Sequence, residues 1–151
     1  MKSQKTPRSN PGDWLLISLM HAQEYFNFLC VFRKRHTEAQ IQSDKELNTI
    51  HRAVWTALIA EIRKLFDDSR YPNHSLRKSV FSKSSDENKL IINDVYGNQI
   101  IQKIINTANT FTLHLSEEKT NILPVSQICD SDLGNLLKKL EYPIKQFNEK
   151  L

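Results

Sequence analysis

The sequence predicts an all-α protein, an up-and-down bundle of four main helices plus a short helix. Three observations carry this. Glycine (3) and proline (5) are scarce in the 151 residues, so there are few chain breakers. Period-two alternation of β-branched residues is nearly absent. Four long runs instead place apolar residues at spacings of three and four, the signature of helices with one buried face.

The first run covers about 13–36. Pro11-Gly12 closes a basic, proline-containing start, so residues 1–12 read as a disordered arm and Asp13 as a helix N-cap. Leu15, Leu19, Ala22, Phe26 and Leu29 share one line, with Tyr25, Phe28 and Phe32 beside it. Trp14, Trp55 and the phenylalanines are assigned to the core. Residues 37–43 read as a polar hinge. Ser43 or Asp44 caps a second helix to about Asp67, with Glu46 placed for a capping box. Its stripe is Leu47, Ile50, Val54, Leu58, Ile62 and Leu65, widened by Trp55, Ile59 and Phe66. Apolar over so wide an arc, it touches more than one neighbour.

Residues 68–74 are a loop by composition, and 75–81 have room for a short helix. A long helical run spans about Glu87 to Leu113, with Gly97 costing roughly 1 kcal/mol relative to alanine. Ile101, Ile104, Ile105, Ala108 and Phe111 face inward, opposite a polar line of Lys103, Thr107, Thr110 and His114. Residues 115–129 read as a connection. In the last helix Leu133, Leu136, Leu137, Leu140, Ile144, Phe147 and Leu151 keep one phase through Pro143, which favours a kink over a break. Together 13–151 form one domain, long enough to bury roughly 70% of its unfolded surface.

A net charge of +4 and a pI near 9.1 lean toward anionic partners such as nucleic acid. Cys30 and Cys129 are far apart in sequence and have no metal-ligand spacing. His21, His36 and His51 show neither HxxxH nor HExxH order, so no metal site and no cofactor are expected. No stretch reaches about 18 consecutive apolar residues, and the apolar start has no small-residue cleavage site. The expectation is a cytoplasmic protein with free thiols and no membrane association.

The second helix, Ala53 to Asp67, resembles the "W…L…RLFD" helix of the abortive-infection U-type branch of the HEPN superfamily. The likeness continues through about 13–150. A loop and short helix follow in 68–81, then a long helix ends in Asn109-x4-His114, where the family has Arg-x4-His. Ile122-Leu-Pro-Val-Ser126 and Asp132-Leu-Gly-Asn-Leu-Leu137 fit the family's Leu-Pro connection and final helix. The resemblance implies a HEPN-like bundle of the toxin–antitoxin or phage-defence type, homodimeric, cleaving or binding RNA without a metal. An antitoxin or other partner protein is implied with it.

In that reading His114 is the acid–base group, since imidazole can take a 2′-hydroxyl proton and protonate a leaving oxygen near neutral pH. Asn109 stands where arginine would stabilise phosphoryl charge. It is short and neutral, and losing one such group typically costs about 10²–10³ in rate. The site is therefore expected to be degenerate and weak or inactive. Some members of the family carry His-x-Tyr; Ser116 occupies that position here. Lys103 and Thr110 are candidate phosphate contacts, and their alternative is a solvated helix face. Arg63, then Arg52, are the candidates for a substitute cation, although Arg63 and Asp67 at i,i+4 also suit a helix-surface pair. Arg70-x3-His74 has the wrong spacing for the motif. His114 alone would also suit a helix C-terminus, where it favours the dipole. The alternative function is a non-enzymatic helical module that dimerises and binds RNA or a partner protein.

Overall fold

The computed structural model describes residues 11–67, 75–113 and 125–149, and among these the regular structure is helical throughout. In chain order it comprises α1 (Pro11–Arg35), α2 (Glu38–Ser43), α3 (Lys45–Phe66), α4 (Leu76–Ser79), a 3-10 turn (Phe81–Lys83), α5 (Asp86–Gly97), α6 (Gln99–Leu113), α7 (Val125–Cys129), α8 (Leu133–Lys139) and α9 (Glu141–Glu149). The expected arm at 1–12 falls outside the described residues up to position 10. Pro11 and Gly12 already belong to α1. Proline suits a first helical position because the N–H it lacks has no partner there and its φ is preset. Asp13 is consequently a first-turn residue rather than the cap.

α1 and α3 pack antiparallel. His21 approaches Glu61 at one end, and Phe32 meets the His51 ring at the other. α9 also runs antiparallel to α1, with Gln23 donating to Glu141 at 2.8 Å and Gly12 lying against Asn148 and Phe147. At Gly134 a Cβ would sit 2.9 Å from the Phe26 ring, so glycine is what lets α8 seat on α1 there. α5 meets α9 through Asn88, whose amide donates to Gln146 at 2.6 Å. The apolar lines named above converge on one interior: Leu19, Leu29, Leu58, Ile62, Ile92, Ile104, Leu137 and Ile144 are all fully buried. Each such side chain contributes about 1.5–3 kcal/mol of transfer free energy.

Five local expectations change. Residues 37–43 are not a hinge: Thr37 caps α2, its hydroxyl accepting from Gln40 N–H while the Gln40 side chain accepts from Thr37 N–H. This reciprocal capping box forms at Thr37, whereas Asp44 caps α3 by itself, accepting from the N–H groups of Glu46 and Leu47. The long run 87–113 is two helices, because Asn98 is extended (φ −69°, ψ 133°). Its side-chain oxygen accepts from Ile100 N–H at 2.9 Å and so starts α6 anew. Part of the supposed connection, 125–129, is the helix α7. Trp14 and Phe28, assigned to the core, are 51% and 45% exposed.

The last helix is broken rather than kinked: α8 ends at Lys139, Leu140 caps it, and α9 starts anew at Glu141. Leu133, Leu136, Leu137, Leu140, Ile144 and Phe147 stay buried across the break. Pro143 falls in the first turn of α9, where a missing N–H costs no intrahelical bond.

Candidate nucleic-acid interface

His114 lies outside the described residues, and of Asn109 and Thr110 the structure describes the helical backbone of α6 only. Lys103, four residues into that helix, is exposed. It borders a groove of about 420 Å³ with Asn98, Gln99, Asp130 and Asp132. The two carboxylates offset its charge, so Lys103 contributes little net attraction for phosphate. Thr107 departs from the expected polar line. It is buried, its hydroxyl donates to the Lys103 carbonyl at 2.8 Å, and its methyl group is free to pack inward.

The two candidate arginines of α3 have opposite surroundings. Arg63 and Asp67 form a pair at 3.0 Å with side chains only 11% and 9% exposed. The pair is buried, not on the helix surface, and its carboxylate already neutralises the guanidinium. Arg52, three turns earlier, is exposed and has no ion-pair partner among the described residues.

Arg52 follows His51, and His51 belongs to a cluster at the α1–α3 end. The Phe32 ring stacks on Phe28 at 5.7 Å, tilts over His36 at 4.7 Å and reaches His51 at 6.1 Å. Burial, and then the Arg33 guanidinium, hold the His51 imidazole below its ordinary value, with Glu38 opposing. Its Nε2 is buried and has no hydrogen-bond partner among the described residues. Arg33, Lys34 and Arg35 fill the last turn of α1, where their charge also favours the helix dipole. One end of the molecule thus gathers Arg33, Lys34, Arg35, His36, His51 and Arg52 around an aromatic pair. Clustered cations suit the phosphates of a nucleic acid, and of the two rings only Phe28 is exposed and open to a base. Apart from Arg52, these residues were not among the sequence candidates. Their one signal in the sequence is the unbroken run Arg33-Lys34-Arg35-His36.

The two cysteines, distant in sequence, meet between α1 and α7. Burial, and then a hydrogen bond with Cys30, push the Cys129 thiol up to about 12. Both remain free and half-buried. A thiol so hard to ionise is a poor nucleophile. Among the described residues no group of three or more His, Cys, Asp or Glu is arranged to hold a metal ion.

Comparison with protein-family models, curated proteins and solved structures finds no match to this chain.

Proposed function

We propose that this chain is a HEPN-like RNA-binding protein of the toxin–antitoxin or phage-defence type, an up-and-down helical bundle acting as a homodimer with a weak or inactive cleavage site. The observation that carries RNA binding is the cationic, aromatic end formed by Arg33, Lys34, Arg35, His36, His51 and Arg52. The family reading rests on the order of elements: a helix ending Arg63-Lys-Leu-Phe-Asp67, a short helix at Leu76–Ser79, and α6 leading to Asn109-x4-His114. Imidazole at 114 supplies acid–base capacity, and asparagine at 109 leaves phosphoryl charge under-stabilised. Binding thus outlasts cleavage in this chain.

The test has two parts. Binding of a fluorescent single-stranded RNA is titrated by anisotropy from 50 to 200 mM salt for wild type and Arg35→Ala/Arg52→Ala. The variant is expected to bind more weakly and to flatten the salt dependence by about 0.7 in log–log slope for each phosphate it no longer neutralises. Equal affinity and equal slope would remove this end of the molecule as the interface. Cleavage of the same RNA is then compared for wild type, His114→Ala and Asn109→Arg. Gain of cleavage in Asn109→Arg supports a degenerate nuclease. An inert wild type with an inert Asn109→Arg eliminates it.

The alternative, a non-enzymatic module that binds a partner protein, is favoured by one observation. α1 exposes a row of large apolar side chains.

A further inference from the structure

α1 buries Leu15, Leu19, Ala22, Phe26 and Leu29 on one side and exposes Trp14, Ile17, Met20, Phe28 and Val31 on another. These five are 45–51% exposed and make up most of the exposed large apolar residues in the described structure. They are not scattered. Trp14, Ile17, His21, Glu24, Phe28 and Val31 follow one another at intervals of three and four, the a/d rhythm of a coiled-coil seam about 26 Å long. His21 is 46% exposed and Glu24 is exposed, so the two polar positions of the seam also face outward.

The order along the seam is apolar, polar, apolar, and it mirrors itself about a centre between Ala22 and Gln23. An antiparallel second copy therefore opposes Trp14 with the other copy's Val31, Ile17 with its Phe28, and His21 with its Glu24. On the flank, exposed Asp13 opposes exposed Lys34. A parallel arrangement would set Glu24 against Glu24, and like charges in register are destabilising. Charge thus selects both the occupant and its direction.

We infer that two copies of this chain pair antiparallel along α1 through the seam from Trp14 to Val31, with His21 of each hydrogen-bonded to Glu24 of the other. Such a contact is isologous, closes on itself and stops at two. It covers roughly 1,000 Å² in total, the low end for a specific interface, so the dimer dissociates on dilution. α1 is also long and apolar enough, by length and composition, to enter a membrane, which makes a bilayer the competing occupant. The inference rests on the homodimer of the proposed function; the seam covers Phe28 but neither Arg35 nor Arg52, so dimerisation and phosphate binding can fail independently.

Sedimentation equilibrium of the full chain over a concentration series tests it, with circular dichroism to verify folding of each variant. Wild type is expected to show a monomer–dimer equilibrium, and Ile17→Asp a monomer throughout. Glu24→Lys should weaken the dimer about tenfold or more by replacing the acceptor of the His21 hydrogen bond with a side chain that only donates. Glu24→Gln, which keeps an acceptor oxygen for the other copy's His21, should retain most of the dimer. A wild type that stays monomeric at roughly 100 μM, far above the micromolar affinities of specific interfaces, overturns the inference. So does a dimer indifferent to Ile17→Asp, or one that Glu24→Gln weakens as much as Glu24→Lys does. Vesicles of phosphatidylcholine and phosphatidylserine supply the other arm. Wild type that co-sediments with them through Ile17 while remaining monomeric in solution assigns the face to a lipid surface and sinks the dimer.

Discussion

The two ends of α3 present the same residue type under opposite conditions. At the C-terminal end Arg63 is enclosed with Asp67, and at the other Arg52 stands in solvent beside a half-buried His51. A buried guanidinium needs its carboxylate merely to offset desolvation. An exposed one keeps its charge available for a phosphate at little cost. The contrast assigns structure to one end of the helix and recognition to the other, although both arginines qualify equally as cations by residue type.

The largest way to break that contrast is Asp67→Ala, which takes the carboxylate at 3.0 Å away from the buried Arg63 guanidinium. It should cost about 3 kcal/mol, lowering Tm by about 8 °C for a chain of this size. Thermal unfolding checks it, and Arg63→Met/Asp67→Leu should recover much of the loss. A shift under about 2 °C for Asp67→Ala, well short of that expectation, would mean that water reaches the pair.

Next in size is Asp44→Ala, at the recognition end. Two backbone N–H groups, of Glu46 and Leu47, lose their acceptor, for about 1 kcal/mol. Urea unfolding should show a lower midpoint with an unchanged slope.

The smallest effect belongs to His51. Its folded value is depressed, so the unfolded chain takes up a proton first as pH falls. The neutral imidazole's contribution is whole above the ordinary value of 6.5 and is lost as pH drops toward the folded value. Tm should therefore decline as pH falls below the ordinary value of 6.5 in wild type and decline less in His51→Gln. Parallel curves for the two proteins would show that the acid sensitivity lies elsewhere.

α3 was legible because its wide apolar stripe and the Asp44 cap agreed, and the helix runs from Lys45 to Phe66 as that agreement requires. What covers a face was not legible. The spacing of Arg63 and Asp67 is the same on a wet helix as on a buried one, and only tertiary packing distinguishes them. Likewise Trp14 and Phe28 are apolar residues whose exposure no local pattern reveals. The capping box of α2 is present in the letters Thr37-x-x-Gln40, but the helix behind it is too short and polar to show an apolar stripe. The split at Asn98 depends on one side chain competing for a backbone N–H, a contest with no periodic trace. Of the candidate site, Arg52 was found by its place on α3. The cluster around it was not, because only the packing of α1 on α3 brings His51 and Arg52 to Phe32 and His36.

The turn at Asn98 has a mechanical consequence. α6 is 15 residues long, a lever of about 22 Å, and Asn98 is its pivot. Each degree of rotation there displaces the far end of α6, at Leu113, by roughly 0.4 Å over that length. The angle is held by two short struts: the Asn98 side chain to Ile100 N–H, and the Gln102 amide to the Tyr96 carbonyl at 2.6 Å. Chemistry that needs sub-ångström alignment at the tip would be tuned, or detuned, by residues at the opposite end of the helix.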